Sequence, residues 1–324
     1  MDFKTFNVGD NDNDRRLDKI IRIILPSMSL SEIYKAIRKG LVKVNDKKAS
    51  AEYRVKTGDK ISVAEFLFKT SDLKENDVES RFHTFNFPEI PVLFKNENII
   101  IYNKPRNIAV HGGGNKTNNS NNIITLEAYT KVLYEKENPN ATSLSFTPGP
   151  LHRIDRFTTG IVAFSWSLNG ARWFSENIKN HTIQKKYVGI VQGNLKAQQK
   201  WESFIKNDEV YGTQKKFHTV IATDAPDTGK TALTIVTPLE HGKIDGLEIT
   251  LAEFDIHTGR HHQIRAQAAQ NGFPLYGDTS YGGTKNPQNT YFLHATELQI
   301  PENPIGLPKI IKAPLPEDFP LPVS

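Results

Sequence analysis

The sequence predicts an α+β protein of two domains, in which a small N-terminal α/β module precedes a larger domain built on a mixed, mostly antiparallel sheet. At 324 residues the chain exceeds the ~100–200 residues typical of one domain. Its positive charge is concentrated near the N-terminus, although the whole chain carries only +5. Beyond residue 90, strand-like apolar runs are interspersed with amphipathic helical segments. We therefore place the domains at 1–66 and 91–324, joined by a polar, charged linker at 67–90.

The composition excludes several classes of protein. The chain has no Cys, which rules out disulfides, thiolate zinc sites and a Cys nucleophile and favours a cytoplasmic protein. Residues 1–14 are polar and acidic, unlike a signal or transit peptide. Because no apolar run approaches the ~20 residues that cross a bilayer, we expect a soluble protein with no membrane partner.

Two helices and a small sheet are predicted for the N-terminal module. Residues 16–25 repeat apolar positions at helical spacing. Ser29 and Glu32 form a capping box that starts a second helix, and Gly40 has the position of its C-terminal glycine. The strands that follow are expected at 41–44 and 61–63.

This module carries most of the positive charge of the chain. Residues 15–63 contain thirteen Lys or Arg and five Asp or Glu, a net +8 that is typical of a nucleic-acid contact, although a solvated charged surface is the alternative. The string RRLDKIIRIIL…SLSEIYKAIRKGLVKVNDKKA…RVKTGDKISV resembles the S4-like RNA-binding domain. The resemblance implies that RNA phosphates contact four basic side chains. These are Arg38, Lys39, Lys43 and Lys47.

The larger domain opens with two strand-like runs, 92–94 and 99–102, which lead to an Asn-Lys-Pro turn at 103–105. Residues 112–122 are nearly all Gly, Asn, Ser and Lys, a composition that favours a mobile loop.

The segment HRIDRFTTG at 152–160 is the central motif. The buried run 161–164 that follows it predicts a strand, so the motif is a loop fixed by the edge of a sheet. Asp155 is crowded by Arg153 and Arg156, and such a carboxylate stays ionised with a lowered pKa. An ionised aspartate can act as a nucleophile. The alternative is a salt-bridged loop that caps the strand.

A second candidate lies on the strand predicted at 183–191. Its alternation places Lys185 and Tyr187 on one face, and Gly189 beside the ring would leave room for a flat group. By itself such a Tyr is more often a core residue.

A third candidate lies where the strand 247–256 runs into a turn and a helix ended by Gly272. His261, Arg265 and Ala268 are spaced to share a helical stripe that faces the protein. A buried Arg needs a carboxylate partner.

Five motifs in order resemble the RluA-type (RluC/RluD-like) pseudouridine synthases: VLFKNENIIIYNKPRNIAVHGG, HRIDRFTTG, KKYVGIVQG, HTGRHHQIRAQ and GFPLYGDTSYGG. The resemblance implies the pseudouridine synthase fold and a cofactor-free isomerisation of uridine, with large-subunit (23S) ribosomal RNA the expected substrate. The uracil would be detached from the anomeric carbon, turned and rejoined through carbon five.

The same resemblance assigns roles to the candidate residues. Asp155 becomes the catalytic nucleophile, Arg265 its charged partner, and Tyr187 the ring that packs beside the target uracil. Arg153 helps to displace the base from its stack. His152, which precedes Arg153, is likewise expected to contact the RNA substrate.

Parts of the sequence also suggest three rival functions. His257, His261 and His262 could suggest a metal hydrolase, but adjacent His residues on a helix point apart and no carboxylate cluster completes a shell, so we expect no metal. A Ser-His-Asp hydrolase lacks the G-x-S-x-G elbow. A non-catalytic RNA-binding ribosome-assembly protein is the main alternative. The oligomeric state is open, with a monomer favoured.

Overall fold

A computed structural model describes residues 1–68, 89–112, 125–138, 146–211, 216–224 and 229–322. Most of the predicted linker and of the Gly-rich loop therefore lies outside the described residues. The chain divides into two compact units. The first comprises Met1–Pro88, Glu127–Gly149 and Ser165–Ala171, and the second comprises Glu89–Leu126, Pro150–Phe164 and Arg172–Ser324. The first unit therefore includes two segments that lie outside residues 1–66, the N-terminal domain predicted from the sequence.

The N-terminal part of the first unit is a four-stranded sheet covered by two helices. The capping box forms as predicted, because Ser29 Oγ accepts from Glu32 N while the Glu32 carboxylate accepts from Ser29 N. Gly40 ends the helix in the left-handed conformation. The elements are β1 Phe3–Asn7, α1 Leu17–Ile24, α2 Leu30–Lys39, β2 Val42–Val44, β3 Lys47–Lys48 and β4 Lys60–Ala64, with strand order β1-β4-β2-β3. The sequence does not predict strand β1, because its mainly polar residues show no alternating apolar pattern.

The apolar residues of both helices meet the inner face of this sheet in one core. Leu17, Ile20 and Ile21 of α1 and Ile33 of α2 are fully buried in it. Burial of this kind supplies ~1.5–3 kcal/mol per large aliphatic side chain. The basic residues of the same helices remain on the outer surface.

The second unit contains a sheet with ten strands among the described residues, in the order β10-β9-β11-β12-β8-β13-β7-β6-β5, with β14 paired to β13. Strands β13 and β7 run parallel, whereas the pairs β10–β9, β9–β11, β11–β12, β12–β8, β8–β13 and β5–β6 are antiparallel. The predicted mixed, mostly antiparallel sheet is confirmed. The strands are β5 Val92–Lys95, β6 Ile99–Lys104, β7 Thr159–Ser165, β8 Gln184–Gln192, β9 Gln199–Tyr211, β10 Lys216–Thr223, β11 Lys230–Ile244, β12 Leu247–Ile256, β13 Leu293–Gln299 and β14 Ile310–Lys312.

The remaining helices along the chain are α3 Leu126–Glu137, α4 Leu168–Lys179 and α5 Gln263–Gln270. In the part of the chain that is described, no helix is both long and apolar enough to cross a membrane.

The parallel pair β7–β13 brings two distant loops together. Thr159 pairs with His294 and Gly160 with Ala295, so the residues that precede each strand arrive at the same edge of the sheet. Gly160 has a φ of 104°, and a Cβ there would overlap the backbone carbonyl of Ala295, so only glycine allows this approach. Asp155 lies just before β7, and Tyr291 lies just before β13.

Candidate active site

A cavity of about 1020 Å³ lies in the second unit beside these two loops. Its walls come from the loop before β7, the strand β8, the turn before α5 and the segments 277–281 and 289–291. All five site residues that the sequence predicts for this domain line it, and they are His152, Arg153, Asp155, Tyr187 and Arg265.

Asp155 is partly buried, with 21% of its side chain exposed. Arg265 Nη1 donates to Asp155 Oδ2 at 3.3 Å, and the Tyr291 hydroxyl donates to the same oxygen at 3.2 Å. His262 Nε2 lies 3.5 Å from it. Burial, together with the charge of Arg265, lowers the pKa of His262 to about 4, so this contact is not an ion pair near neutral pH.

Arg265 has a second carboxylate partner that the sequence analysis did not identify. Its Nε donates to Asp278 Oδ2 at 2.7 Å and its Nη2 to Asp278 Oδ1 at 2.8 Å, a bidentate pair shorter than the contact with Asp155. Asp278 is 2% exposed. Burial alone lowers the pKa of Arg265, but the hydrogen bonds to Asp278 and the charges of the acidic groups around it, on Tyr291, Asp278 and Asp155, together outweigh burial and raise it. The guanidinium therefore stays charged and is fixed chiefly by Asp278.

Two tyrosine rings pack against the Arg265 guanidinium. Its central carbon lies 4.8 Å from the centroid of the Tyr281 ring and 4.5 Å from that of Tyr291. The sequence pattern gave no sign of Tyr291, whose position follows from the pairing of β13 with β7. The Tyr281 hydroxyl lies 2.9 Å from His262 Nδ1.

Tyr187 is 6% exposed on strand β8 and lines the cavity with Lys185. Burial, and secondarily the charge of Asp155, raises the pKa of Tyr187. The prediction that Gly189 leaves room for a flat group beside the Tyr187 ring is wrong. A Cβ at Gly189 would lie 3.0 Å from Leu293 Cδ1 and 3.1 Å from Phe254 Cε2, so neighbouring side chains fill that space.

His152 and Arg153 differ in their surroundings. His152 Nε2 accepts a hydrogen bond from Ala163 N at 3.1 Å, and its ring stacks on Phe174. Burial, with a smaller effect of the Lys185 charge, lowers the pKa of His152 to about 3, so the imidazole is neutral. Arg153 is exposed at the mouth of the cavity.

The turn before α5 differs from the predicted helical stripe. Helix α5 begins at Gln263, and His262 precedes it in the left-handed conformation. His261 is therefore outside the helix and cannot share a helical stripe with Arg265. The helix is nevertheless held to the sheet through Gln267, whose Nε2 donates to Ser203 Oγ and whose Oε1 accepts from Thr234 Oγ1.

The adjacent side chains of His261 and His262 do not point apart, contrary to the prediction. The rings of His261 and His262 stack 3.9 Å apart, and one ligand atom from each lies within 4.8 Å of a carboxylate oxygen of Asp155. Such a group could hold a metal ion. The Arg265 guanidinium already contacts Asp155, so an added cation would have to compete with it.

Lys104, the last residue of β6 and part of the Asn-Lys-Pro motif, fixes the loop that carries Asp155. Its side chain is fully buried, and Nζ donates to the carbonyls of Pro105, Ile108 and Arg156 at 2.9, 2.9 and 3.0 Å. Burial lowers the pKa of Lys104 to about 7. Three acceptors match the three N–H groups of the ammonium form.

The four basic residues predicted to contact phosphates lie in the first unit. Arg38 and Lys39 are exposed in the last turn of α2, and Lys47 is exposed in β3. Lys43, in β2, places its ammonium 4.5 Å from the centroid of the Phe3 ring. No ion pair to any of the four occurs within the described ranges, so their charges are available to a ligand.

Two family models match the sequence. The model of the RNA pseudouridylate synthases matches residues 98–270, which is more than half of the chain. The S4 domain model matches residues 15–61. These matches confirm the resemblances that the motifs indicated.

Similar proteins extend the match over nearly the whole chain. Ribosomal large subunit pseudouridine synthase C of Vibrio vulnificus (strain CMCP6) is 26% identical over 322 residues, which cover 96% of this chain and 94% of the relative. Ribosomal large subunit pseudouridine synthase D of Escherichia coli (strain K12) is 27% identical over 330 residues, which cover 97% and 91%.

Solved structures show the same fold. Human RNA Pseudouridylate Synthase Domain Containing 1 matches with a TM-score of 0.53 and 19% identity, covering 76% of this chain and 87% of that one. Human RNA Pseudouridylate Synthase Domain Containing 4 matches with a TM-score of 0.54 and 18% identity, covering 71% and 90%. The predicted fold class is thereby confirmed.

Proposed function

The chain belongs to the RNA pseudouridylate synthase family, enzymes that isomerise uridine in RNA, and we propose that it modifies specific uridines of large-subunit ribosomal RNA with Asp155 as nucleophile. The choice of substrate rests on the relatives, which are ribosomal large-subunit synthases matched over nearly their full length. Such a substrate would place the protein in the cytoplasm. We favour a monomer.

One observation carries the assignment of Asp155. Its carboxylate lies in the wall of the cavity that Tyr187 of β8 also lines, and Arg265 and Tyr291 both donate to one of its oxygens. Addition of the carboxylate to the uracil ring and removal of a ribose proton both need the ionised form. The two donors stabilise that anion.

The residues around the cavity can support the isomerisation without a cofactor, because the reaction rearranges bonds within one nucleotide and has no net oxidation. Tyr187 offers an apolar ring face for the freed uracil while it turns. Asp278 holds the Arg265 guanidinium in place, and the positive charge of Arg265 therefore stays beside Asp155. The cavity wall therefore stabilises the negative charge of the Asp155 carboxylate and leaves the freed uracil able to rotate.

RNA binding is supported by exposed cations in both units. The target uridine must leave its stack at a cost of a few kcal/mol, and the exposed Arg153 at the cavity mouth is suited to fill the vacated place. Arg156 is exposed in the same loop. In the first unit, the free charges on α2, β2 and β3 suit phosphate oxygens.

The test is a pseudouridine map of ribosomal RNA from cells with and without the gene, followed by complementation. We expect defined sites to disappear in its absence and to return with the wild-type chain. Asp155→Asn should restore none of them and should lower the single-turnover rate in vitro at least about a thousandfold, while RNA affinity is nearly unchanged.

Asp245→Asn is the matched control. Asp245 accepts a hydrogen bond from Tyr276 outside the cavity and has a φ of 50°, which Asn tolerates. This variant should complement fully. Complementation by Asp155→Asn would contradict the assignment of the nucleophile, and an unchanged pseudouridine map would contradict the choice of substrate.

A further inference from the structure

The contacts of the Asp155 carboxylate converge on one of its two oxygens. Arg265 Nη1, the Tyr291 hydroxyl and His262 Nε2 all lie within 3.5 Å of Oδ2. Within the described residues no donor contacts Oδ1. The two oxygens of this carboxylate are therefore not equivalent: Oδ2 is held by the protein, whereas Oδ1 has no protein donor among the described residues and is left for a ligand in the cavity that Asp155 lines.

Tyr291 is fixed at both ends. Its backbone carbonyl accepts from Arg106 Nη1 at 2.9 Å, and its hydroxyl lies 3.3 Å from Thr158 Oγ1. The side chain is 4% exposed, and the Arg265 guanidinium covers its ring. Thr158 N in turn donates to the Asp155 backbone carbonyl at 3.2 Å. The ring therefore has little freedom, and its hydroxyl is directed at Asp155.

The hydroxyl of Tyr291 can act only as a donor to this carboxylate. Burial, and next the negative charge of Asp155, raises the pKa of Tyr291, so the phenol keeps its proton. Thr158 Oγ1 can then donate to the phenol oxygen, which completes a chain from Thr158 through Tyr291 to Asp155. Tyr187 differs, because its hydroxyl makes no hydrogen bond in the described part of the chain and lines the cavity.

We propose that Tyr291 is a positioning residue that, together with Arg265, holds Asp155 through Oδ2 and so presents Oδ1 to the uridine. A carboxylate held at one oxygen by two donors cannot rotate freely about its Cβ–Cγ bond. The lone pairs of Oδ1 are then directed into the cavity before RNA binds, which reduces the entropy lost in reaching the transition state. This inference rests on the proposed function.

Tyr291→Phe removes the hydroxyl and keeps the ring under Arg265. Loss of a charge-assisted hydrogen bond predicts a fall of about 10- to 100-fold in the single-turnover rate at saturating RNA, with the RNA dissociation constant unchanged. Tyr276→Phe is the matched control, because it also deletes a hydrogen bond from Tyr to Asp, in this case to Asp245 outside the cavity. It should leave the rate unchanged.

A second variant tests whether Thr158 acts through Tyr291. Thr158→Val replaces the hydroxyl with a methyl group and so deletes one neutral hydrogen bond, which should lower the rate of the wild-type chain by roughly a few-fold. In the Tyr291→Phe background it should have no further effect, because the chain of hydrogen bonds is already broken. Additive losses in the double variant would mean that Thr158 acts independently and would overturn this part of the inference.

The outcomes separate the inference from the proposed function. If the wild-type chain forms no pseudouridine, the proposed function fails. If it does form pseudouridine and Tyr291→Phe reacts within twofold of wild type, or loses rate no more than Tyr276→Phe, the positioning role is refuted. Weaker RNA binding at an unchanged saturating rate would also refute it, since it would make Tyr291 a binding residue.

Discussion

The buried pair of Arg265 with Asp278 gives a prediction whose size follows from its geometry. Asp278→Asn keeps the volume of the side chain but removes its charge and replaces one acceptor oxygen with an amide group that faces the guanidinium. Removing one partner of a buried ion pair costs ~3–5 kcal/mol. Asp155 remains near Arg265 Nη1 and offsets part of the loss. We therefore expect a destabilisation near the lower limit, about 3 kcal/mol.

The measurement is urea unfolding followed by tryptophan fluorescence, which reports on Trp173 and the buried Trp201 in the second unit and on Trp166 in the first. Glu253→Gln is the control, because it breaks the partly exposed ion pair between Lys186 and Glu253. An exposed pair contributes only ~0–1 kcal/mol. If Asp278→Asn is destabilised no more than Glu253→Gln, Asp278 does not fix Arg265 as inferred. We also expect a slower single-turnover rate, since a guanidinium without Asp278 can turn away from Asp155.

Two further predictions concern RNA binding and pH. Replacing Arg38, Lys39, Lys43 and Lys47 together with Gln should lower the slope of log affinity against log salt by about 3, since each lost phosphate contact removes ~0.7–0.9, while the single-turnover rate at saturating RNA is kept. An unchanged slope would mean that these cations do not meet phosphates. The folded-state pKa of His152, about 3, lies below its ordinary 6.5, so the folded protein binds fewer protons than the unfolded chain between these values. The free energy of unfolding should therefore fall as the pH drops below about 6.5 toward 3, and His152→Gln, measured by urea unfolding at several pH values, should flatten that decline.

The sequence predicts those parts of the site that a local pattern encodes. The loop of Asp155 is marked by the charged motif and the buried run after it, and the capping box marks the start of α2. The sequence does not predict strands β9 and β10. Their mixed composition shows no clear alternation of apolar and polar residues, and their pairing partners are distant in sequence. The hydrophobic pattern predicts a helix that includes His261, whereas α5 begins at Gln263, because the left-handed conformation of His262 leaves no sign in that pattern.

Asp278 and Tyr291 could not be assigned from the sequence for a different reason. Both lie in irregular segments, and each reaches Arg265 or Asp155 only after the sheet has formed. The parallel register of β7 and β13 brings Tyr291 to Asp155 across a separation of 136 residues. No spacing rule within one element predicts such a contact, although Gly160, which permits it, is part of the motif.

The loop around Asp155 combines a rigid backbone with exposed cationic side chains. Lys104 holds the Arg156 carbonyl from the buried side, and His152 fastens the start of the loop to Ala163. Neither contact uses the side chains of Arg153 or Arg156, which stay exposed. The backbone that carries the carboxylate is thus fixed by buried donors. Arg156 Nε donates to the Asn107 carbonyl at 3.2 Å, whereas the Arg153 side chain makes no hydrogen bond in the described residues and keeps the freedom to meet phosphates or to enter a stack. A rigid nucleophile beside an adaptable cation suits a substrate whose target base must first be displaced.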